Sequence, residues 1–466
     1  MTDPKTLIDL ETRVGSDAIV TDSDLCRTAG EDWRGVFSGP VLAVAQPKNI
    51  TQVQEIIRWA SETGTSLVPQ SGNSSLAGGA TPTSNAGAAL ILSARRLKKI
   101  RNFDAKQRLI TVESGVILEN LQQAVAPLEV PIDLGGRGSA QVGGLLACHA
   151  GGLNVVRYGS LRNHVRGMEV VWPNGKVWNG LKQVKKDNTG YDLKSLLIGS
   201  EGTLGFITAA TLQLFPPANR RLTALIGITQ PQEALELFWN LETDFPNQIY
   251  AAEMMTNVGM SRALEQNQQL RNPFEGRLPP FAMLVEVGLR EKIFEAETEL
   301  FLDRLASHNA EVLVSQSDLQ SENLWGLREG LVEAQRSYGP SVKHDVCVPM
   351  QALPALISQG MKICHEAMPG CTPVPFGHLG DGSFHFNVSC PKGWTMEDML
   401  RKSGTLTQRI HDLVNQLGGS ISAEHGVGQA RLAEVNRFRD PSATSIMRSI
   451  KKALDPKGLF NPGKLL

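Results

Sequence analysis

The sequence predicts an α+β protein with two or three domains. At 466 residues, the chain is longer than a single hydrophobic core usually supports. Up to about residue 215, apolar strands alternate with helices and glycine-rich loops, and after residue 222 strands alternate with longer helical runs. The first pattern predicts a mixed α/β half. The second predicts an antiparallel sheet that helices cover on one face.

The first half contains a helix with clear signals at both ends. Residues 49–64 carry Val53, Ile57 and Ala60 at helical spacing, begin with Asn and Thr as capping residues and stop at Gly64. An apolar strand and a loop rich in Gly, Ser and Asn follow. Similar strands, helices and small-residue loops recur up to about residue 215.

Three glycine-rich clusters, at residues 70–75, 135–160 and 199–205, follow apolar strands in this half. Glycine lets a backbone approach a ligand closely, and successive N–H groups can then form a concavity for phosphate oxygens. One such loop usually serves only as a turn. Three of them in the same half of the chain predict a bound nucleotide.

Pro216 and Pro217, followed by the basic residues Arg220 and Arg221, indicate a domain boundary. Beyond it, strands are predicted in TALIGIT, AAEMM, FAMLVEV and EVLVSQ, and helices in the run EKIFEAETELFLDRLASH and at about 400–417. This part of the chain therefore predicts the antiparallel sheet and its helices.

The segment PFGHLGDGSFHFNV, residues 375–388, predicts a β-hairpin with Asp381 and Gly382 as a two-residue loop. In that register His378 lies directly opposite His385, and the alternation along the strand puts Asn387 on the same face. Two facing imidazoles would repel each other if both were protonated. The hairpin therefore predicts a shared metal ion or a bound anion.

Composition limits which kinds of binding partner and which cellular compartment are expected. The 46 basic and 47 acidic residues nearly cancel, which gives no reason to expect nucleic acid or an anionic membrane surface as a partner. The six cysteines show no CxxC spacing, as expected for reduced thiols in a cytoplasmic protein. The N-terminus lacks the apolar core of a secretory signal, and no apolar run reaches the ~20 residues of a membrane span.

Several motifs, in order along residues 35–466, resemble FAD-linked D-2-hydroxy acid dehydrogenases. They are PQSGNSSLAGG, GSAQVGGLLACHAGGLNVVRYGSLRNHVRGMEVV, NTGYDLKSLLIGSEGTLGFIT, WGLREG, VKHDVCVP, GHLGDGSFHFNV, SAEHGVG and LDPKGLFNPGK. The closest resemblance is to the dehydrogenases of D-2-hydroxyglutarate, and those of D-lactate are related. The ordered set is specific for the family and less specific for the substrate.

The resemblance implies a division of the chain into four parts. An N-terminal helical segment would span residues 1–35, and an FAD-binding domain of the vanillyl-alcohol-oxidase or p-cresol methylhydroxylase (PCMH) type would span 36–217. A substrate domain with an antiparallel sheet would span 218–425, and residues 426–466 would return to the FAD domain.

In this fold, the first two glycine-rich loops would hold the pyrophosphate and flank the isoalloxazine, and Glu201 would lie near the adenosine half. Ser74 and Ser75 stand where covalent members carry a histidine, so the FAD is expected to be non-covalent, with His149 serving only for packing. The resemblance assigns FAD binding to Pro69, Gln70, Ser71, Gly72, Asn73, Ser74, Ser75, Leu76, Leu134, Gly135, Gly138, Ser139, Val142, Gly143, Gly144, Ala150, Gly151, Gly152, Tyr158, Gly159, Glu201, Gly202, Ile207 and Asn461.

The resemblance also implies a divalent metal, most often zinc, bound by His378, His385 and Glu424. Two histidines and a carboxylate with open positions match a catalytic site, where the metal acts as a Lewis acid on the 2-hydroxyl of the substrate. His425 would be the general base that takes the hydroxyl proton as the C2 hydride passes to flavin N5.

Arg328 and Lys343 align with residues that bind carboxylates in similar enzymes, and Asn387 could hydrogen-bond the substrate. One departure weakens the assignment of D-2-hydroxyglutarate as substrate. Val332 stands where these dehydrogenases often carry a threonine four residues after the arginine, and valine cannot hydrogen-bond a distal carboxylate.

The leading hypothesis is an FAD-dependent dehydrogenase of D-2-hydroxyglutarate, with D-lactate, D-malate and glycolate as alternative substrates. A metal-dependent hydrolase and a flavoprotein oxidase that uses dioxygen are the other candidates. A dehydrogenase must pass its electrons to a quinone, a cytochrome or an electron-transferring flavoprotein, and the sequence does not select one of them. A homodimer is expected, since homodimers are common in this family.

Overall fold

The computed structural model describes residues 4–85, 87–274, 276–308 and 310–466, with the side chains of residues 4–6 left out. The chain forms two compact units. The first comprises residues 1–152, 160–217 and 424–466, and the second comprises residues 153–159 and 218–423. Each unit is described separately below.

The β-strands of the described residues are numbered along the whole chain. They are β1 (Ile19–Val20), β2 (Val41–Ala45), β3 (Leu67–Gln70), β4 (Ala89–Ser93), β5 (Ile100–Asp104), β6 (Leu109–Glu113), β7 (Val165–Val171), β8 (Val177–Gly180), β9 (Phe206–Gln213), β10 (Arg220–Ile228), β11 (Ile249–Thr256), β12 (Phe281–Leu289), β13 (Val312–Val314), β14 (Ser341–Val342), β15 (Asp345–Cys347), β16 (Thr372–His378) and β17 (Ser383–Ser389).

The α-helices are numbered in the same way. They are α1 (Pro4–Val14), α2 (Ser23–Gly30), α3 (Ile50–Thr63), α4 (Leu118–Val125), α5 (Val142–Cys148), α6 (Val155–Tyr158), α7 (Leu193–Leu197), α8 (Pro231–Asp244), α9 (Asn257–Gln266), α10 (Phe294–Ala306), α11 (Asp318–Ser337), α12 (Leu353–Ala367), α13 (Met396–Lys402), α14 (Gly404–Gln416), α15 (Leu432–Phe438) and α16 (Pro441–Leu454). Short 3-10 helices span Ser16–Ala18, Leu161–His164, Glu291–Ile293 and Met350–Ala352.

The first unit contains a four-stranded sheet, in the order β1-β2-β4-β3, in which β2 and β3 both run parallel to β4. Helix α3 connects β2 to β3, as such parallel connections require. Asn49 caps this helix, because its side-chain oxygen accepts the N–H of Gln52 at 3.0 Å, and Gly64 ends it in the left-handed conformation. The helix predicted for residues 49–64 is thus confirmed.

A five-stranded antiparallel sheet, in the order β5-β6-β9-β7-β8, completes the strands of the first unit. Each sheet has its own hydrophobic core, one around α3 and one around α4 and α5. The C-terminal segment joins both cores: Phe460 is buried against the first, and Leu454 of α16 packs on the second. The Leu67 N–H also donates to the Leu459 carbonyl at 2.8 Å.

The second unit is built on an eight-stranded antiparallel sheet, in the order β13-β10-β12-β11-β16-β17-β14, with β15 also paired to β17. Helix α11 packs on the sheet face that carries Phe376, where Leu327 and Leu331 share its core. Helix α12 lies on the opposite face, since a methyl group added at Gly360 would contact the Phe386 ring. The prediction of helices on a single face is therefore wrong, and both faces are covered.

The hairpin of β16 and β17 exists, but its predicted register is wrong. His378 pairs with Ser383, and His385 pairs with Phe376, so residues 379–382 form a four-residue loop. The N–H of Gly382 bonds the His378 carbonyl at 3.1 Å, and the Asp381 carboxylate accepts the N–H of Ser383 at 2.8 Å. These bonds close the longer loop. The shift is two residues, so both histidines remain on one face.

The state of the cysteines and the character of the helices agree with what the composition predicted. All six cysteines are free thiols, and burial raises the pKa of the Cys148 and Cys364 thiols to about 12. Within the described residues, no helix combines the length and the apolar character that a bilayer span requires.

Candidate active site

In the first unit, the first two glycine-rich loops contact each other directly. A methyl group added at Gly72 would lie 2.0 Å from the carbonyl oxygen of Ser139, which is a backbone atom that cannot move aside. Methyl groups at Gly143 and Gly144 would lie 3.2 Å from the side chain of Ser71. The absence of side chains therefore lets the two loops form one continuous surface.

The backbone of the first loop offers unused donors. Within the described residues, no amide N–H of residues 71–76 donates to another group. Asn73 has a φ of 52° and its side chain is held by the Glu31 carbonyl at 2.9 Å, which fixes the backbone on that side of the loop. Successive free N–H groups next to a left-handed residue form the kind of concavity that binds phosphate oxygens.

The third cluster holds the C-terminal segment in the first unit. The carboxylate of Glu201 accepts the backbone N–H groups of Val427 and Gly428, each at 2.7 Å. Its own carbonyl accepts the side-chain amide of Asn461 at 2.7 Å, and that amide also donates to the Gly79 carbonyl at 2.9 Å. Burial raises the pKa of Glu201, and the two amides act against this shift. Its carboxylate thus anchors the loop that carries Glu424 and His425.

A second close approach involves Glu424 itself. A methyl group added at Gly151, in the second glycine-rich loop, would lie 2.6 Å from the Glu424 carboxylate. Glycine at this position therefore allows the Glu424 side chain to lie against the loop. The first unit brings a predicted metal ligand and the predicted cofactor loop together.

Buried polar atoms without partners support a ligand at these loops. Within the described residues, no hydrogen bond reaches Ser114 Oγ, Gln141 Oε1, His149 Nε2 or Asn461 Oδ1. Each unsatisfied group costs about 1–3 kcal/mol unless a ligand or ordered water completes it. Together with the glycine cradle and the free amides, these atoms fit a bound dinucleotide such as FAD.

Two of the residues predicted to bind FAD have side chains that contact other parts of the protein. The side-chain amide of Gln70 donates to the carbonyls of Ala29 and Ala80, both at 2.9 Å, so it fixes the loop. Tyr158 and Gly159 belong to the second unit, where the Tyr158 ring packs edge-on against Tyr250 at 6.2 Å. His149 ends α5 with a φ of 52°, and burial lowers its pKa.

In the second unit, strand register places a row of polar side chains on one face of the sheet. Glu253 pairs with His378, and His385 pairs with both Phe376 and Asp345. The pairing of β17 keeps one register on both sides of Lys343, which places Lys343 opposite Asn387. The face thus carries Glu253, Lys343, Asp345, Phe376, His378, His385 and Asn387.

Glu253 is the central residue of this face. It is 0% exposed, and one carboxylate oxygen lies 2.5 Å from His378 Nδ1 while the other accepts Arg328 Nε at 2.6 Å. Burial alone would raise the pKa of Glu253, but the charges of Arg328 and His378 lower it to about 2. Because Nδ1 of His378 donates to Glu253, His378 would bind a metal ion through Nε2.

The other predicted residues adjoin this pair. The Arg328 guanidinium lies over the Phe376 ring at 4.7 Å. The His378 and His385 rings are 5.7 Å apart, and His385 Nδ1 is 3.9 Å from the Asp345 carboxylate. Two imidazoles and the Asp345 carboxylate on one face are groups of the kind that bind zinc or a similar cation.

At the other end of the face, Gln335 of α11 joins two predicted substrate residues. Its side-chain oxygen accepts Asn387 Nδ2 at 2.9 Å and also accepts the ammonium of Lys343. Val332, one turn earlier on the same helix, is 47% exposed.

Sequence reasoning missed Glu253, Asp345 and Gln335. Glu253 stands alone in the apolar strand AAEMM, and a single charged residue between buried apolar neighbours was a signal that it needs a buried partner. Asp345 follows Lys343 at strand spacing, so alternation alone could have placed it on the same face. Gln335 lies seven residues after Arg328, which is two turns along the same helix stripe.

Comparison with known proteins places these features in a family. Residues 41–180 match the FAD binding domain, and residues 218–465 match the C-terminal domain of FAD linked oxidases. The chain belongs to the FAD-linked oxidase family. It is an FAD-linked oxidoreductase, which excludes the metal-dependent hydrolase.

Two curated relatives extend the match over the whole chain. A D-2-hydroxyglutarate dehydrogenase of Xanthomonas citri pv. viticola is 33% identical over 100% of this chain and 97% of its own length. One of Stutzerimonas stutzeri is 34% identical over 100% of this chain and 99% of its own length. The predicted resemblance to the FAD-linked D-2-hydroxy acid dehydrogenases is confirmed.

The fold prediction is confirmed as well. A crystal structure of p-cresol methylhydroxylase with substrate bound superposes with a TM-score of 0.77, covering 99% of this chain and 96% of the other, at 16% identity. At this low identity the likeness concerns the fold alone. It is the PCMH-type fold that the motifs predicted.

Replacing Gly72 should remove the flavin. In Gly72→Ala, the added methyl group would meet the Ser139 carbonyl and force the two loops apart, so we expect the flavin-to-protein ratio of the purified protein to fall several-fold. Gly190→Ala is the matched control, because nothing lies within 4 Å of a methyl group there. Absorbance spectra measure the ratio, and a fully yellow Gly72→Ala protein would contradict the cradle.

Removing the charge of Glu253 should destabilise the second unit. Glu253→Gln leaves Arg328 buried without a counter-charge, and we expect a loss of about 3–5 kcal/mol in the free energy of unfolding. Glu286→Gln on β12 should cost less, because its partner Arg221 has a side chain that is 38% exposed. Denaturant unfolding of both variants tests this. Equal losses in the free energy of unfolding would show that the buried Glu253–Arg328 pair contributes no more than the partly exposed Glu286–Arg221 pair.

Proposed function

We propose that this protein oxidises a D-2-hydroxy acid, with D-2-hydroxyglutarate favoured, to the corresponding 2-oxo acid. The observation that carries the proposal is the buried Arg328–Glu253–His378 network, in which one carboxylate holds a carboxylate-binding cation and a ligand-type imidazole on one sheet face. The name of the relatives that match the whole chain supports the same substrate class.

Two bound groups would supply the chemistry that the side chains lack. The glycine-rich loops would hold FAD non-covalently, and the FAD would supply a hydride acceptor, at N5, for the hydrogen on C2 of the substrate. A divalent metal, zinc in this proposal, would be held by His378, His385 and Glu424 and would stabilise the alkoxide form of the 2-hydroxyl.

The side chains would divide the remaining tasks. His425 takes the hydroxyl proton, because a neutral imidazole is a suitable base near neutral pH. The guanidinium of Arg328 keeps its terminal nitrogens for a substrate carboxylate, since its Nε is committed to Glu253. Lys343 and Asn387 bind the other oxygens of the substrate.

Chain connectivity supports the inclusion of Glu424 in the ligand set. Ala423, the last residue of the second unit, donates its N–H to the Asp345 carbonyl at 3.2 Å. Glu424 is the next residue in the chain. A single peptide bond therefore separates Glu424 from a residue that is hydrogen-bonded to the polar strand of the second unit.

The electrons of the reduced flavin must leave the protein, and a quinone, a cytochrome and an electron-transferring flavoprotein are the acceptor classes in this proposal. We also propose a cytoplasmic homodimer, for which light scattering of the purified protein is the direct test.

A flavin-reduction screen tests the function. D and L forms of 2-hydroxyglutarate, lactate and malate, together with glycolate, are added to the anaerobic protein, with and without a chelator. We expect D-2-hydroxyglutarate to bleach the flavin fastest and its L form not to do so, and we expect the chelator to slow the reaction. Rapid bleaching by L isomers, or none by any acid, would overturn the proposal.

The metal site is tested by His378→Ala. We expect retained flavin, loss of bound metal and a fall in the flavin-reduction rate on the order of 100-fold, since a metal ion contributes several kcal/mol and ~1.4 kcal/mol is tenfold. His365→Ala, an exposed position on α12, is the control. Elemental analysis and stopped-flow spectroscopy supply the readouts, and an unchanged metal content in His378→Ala would remove His378 from the ligand set.

A further inference from the structure

Gln335 has a side chain whose polar atoms are used unequally. It is 2% exposed, near the C-terminal end of α11. Its oxygen accepts both Asn387 and Lys343, whereas its amide nitrogen is buried and, within the described residues, has no hydrogen-bond partner. The side-chain oxygen of Gln335 thus accepts two hydrogen bonds, while its side-chain N–H group donates none within the described residues.

Packing alone does not explain this arrangement. A buried amide donor without an acceptor destabilises the folded protein, and a leucine would occupy a similar volume without that penalty. Such a group needs an acceptor, which a bound ligand or ordered water supplies where the chain itself does not. The acceptors that complete a site built from a lysine and two amides are the oxygens of an anion, and a carboxylate is the natural choice.

The position of Gln335 fits one end of an elongated acid. Arg328 and Gln335 are seven residues apart on α11, which is about 10 Å along the helix axis. Arg328 meets the sheet at His378, through Glu253, and Gln335 meets the same face at Asn387 and Lys343. One stripe of the helix therefore presents the Arg328 cation at one end and Gln335, which accepts the Lys343 ammonium, at the other. His385 lies two residues from Asn387 on the strand.

We propose that Gln335 is a specificity-determining residue that selects 2-hydroxy acids with a second, distal carboxylate. Its oxygen positions Lys343 and Asn387, and its N–H group donates to the distal carboxylate when substrate is bound. This inference rests on the proposed function and deepens it. Gln335 would also supply the hydrogen-bond donor that Val332, one turn earlier on the helix, cannot provide.

The discrimination follows from the polar groups themselves. A pocket built to hydrogen-bond a polar group on the substrate rejects an analogue without it, because the groups of the pocket then stay buried and unpaired. A monocarboxylic acid such as D-lactate would leave the side-chain N–H group of Gln335 in that state. A dicarboxylic acid would supply an acceptor for it.

Two substitutions separate the roles of the oxygen and the nitrogen. Gln335→Leu removes both. Gln335→Glu keeps the shape and an oxygen that accepts Lys343 and Asn387, but it replaces the donor by a charge that repels a distal carboxylate. Gln320→Leu, at an exposed position of the same helix, is the matched control. Flavin content and thermal unfolding establish that each variant is folded.

KM and the limiting rate of flavin reduction are measured with D-2-hydroxyglutarate and with D-lactate. For both Gln335 variants, we expect KM for D-2-hydroxyglutarate to rise by about 10-fold or more, the value that one lost hydrogen bond to a charged group predicts. The limiting rate should change little, and KM for D-lactate should stay near that of the unsubstituted protein, as should both constants in Gln320→Leu.

Equal increases in KM for both acids would show a merely structural role and would overturn the inference. An unchanged KM for D-2-hydroxyglutarate in Gln335→Glu would overturn the donor role, even if Gln335→Leu fails to fold. If no D-2-hydroxy acid reduces the flavin of the unsubstituted protein, the proposed function fails, and the inference fails with it. Reduction of that flavin, with selectivity kept in the variants, removes the inference alone.

Discussion

The buried carboxylate of Glu253 is the interaction on which the second unit depends. It is fully buried and accepts from Arg328 and His378 through short bonds, so a single charged group compensates a buried guanidinium and fixes the orientation of an imidazole. A charge in that environment would be costly alone and is tolerated because both of its oxygens are bound. The arrangement ties a helix, α11, to two central strands at the point where the chemistry is proposed.

In the first unit, the main structural requirement is that the backbone of the glycine-rich loops can approach a ligand closely. Ser139, Ser71 and the Glu424 carboxylate all lie where a side chain on Gly72, Gly144 or Gly151 would stand. The glycines therefore act by leaving space, and the free amides of residues 71–76 give that space its preference for anions. The same constraint explains why these loops are sensitive to the smallest substitution.

The sequence predicted local features well and long-range ones poorly. The helix at residues 49–64, the free thiols and the family follow from spacing and motifs, which are properties of neighbouring residues. The hairpin register failed because the side chain of Asp381 and the N–H of Gly382 close a longer loop than the Asp-Gly signal suggests. Glu253 could not be assigned to His378, because 125 residues separate them and only the order of the strands brings them together. The prediction of helices on a single face of the second sheet failed for the same reason, because the packing of helices on a sheet depends on contacts between distant parts of the chain.

The segment after Ala423 leads the chain from the second unit back into the first. Ala423 is hydrogen-bonded to Asp345 within the second unit, while Glu424 lies against Gly151 and the amides of Val427 and Gly428 bond Glu201 within the first. The same segment thus carries a proposed metal ligand, Glu424, and a proposed base, His425. Burial raises the pKa of Glu201, and the bonds of its carboxylate to the two amides act against that shift, so the loop and the carboxylate stabilise each other. Backbone hydrogen bonds on both sides of Glu424 and His425 therefore restrain the main chain that carries these two residues.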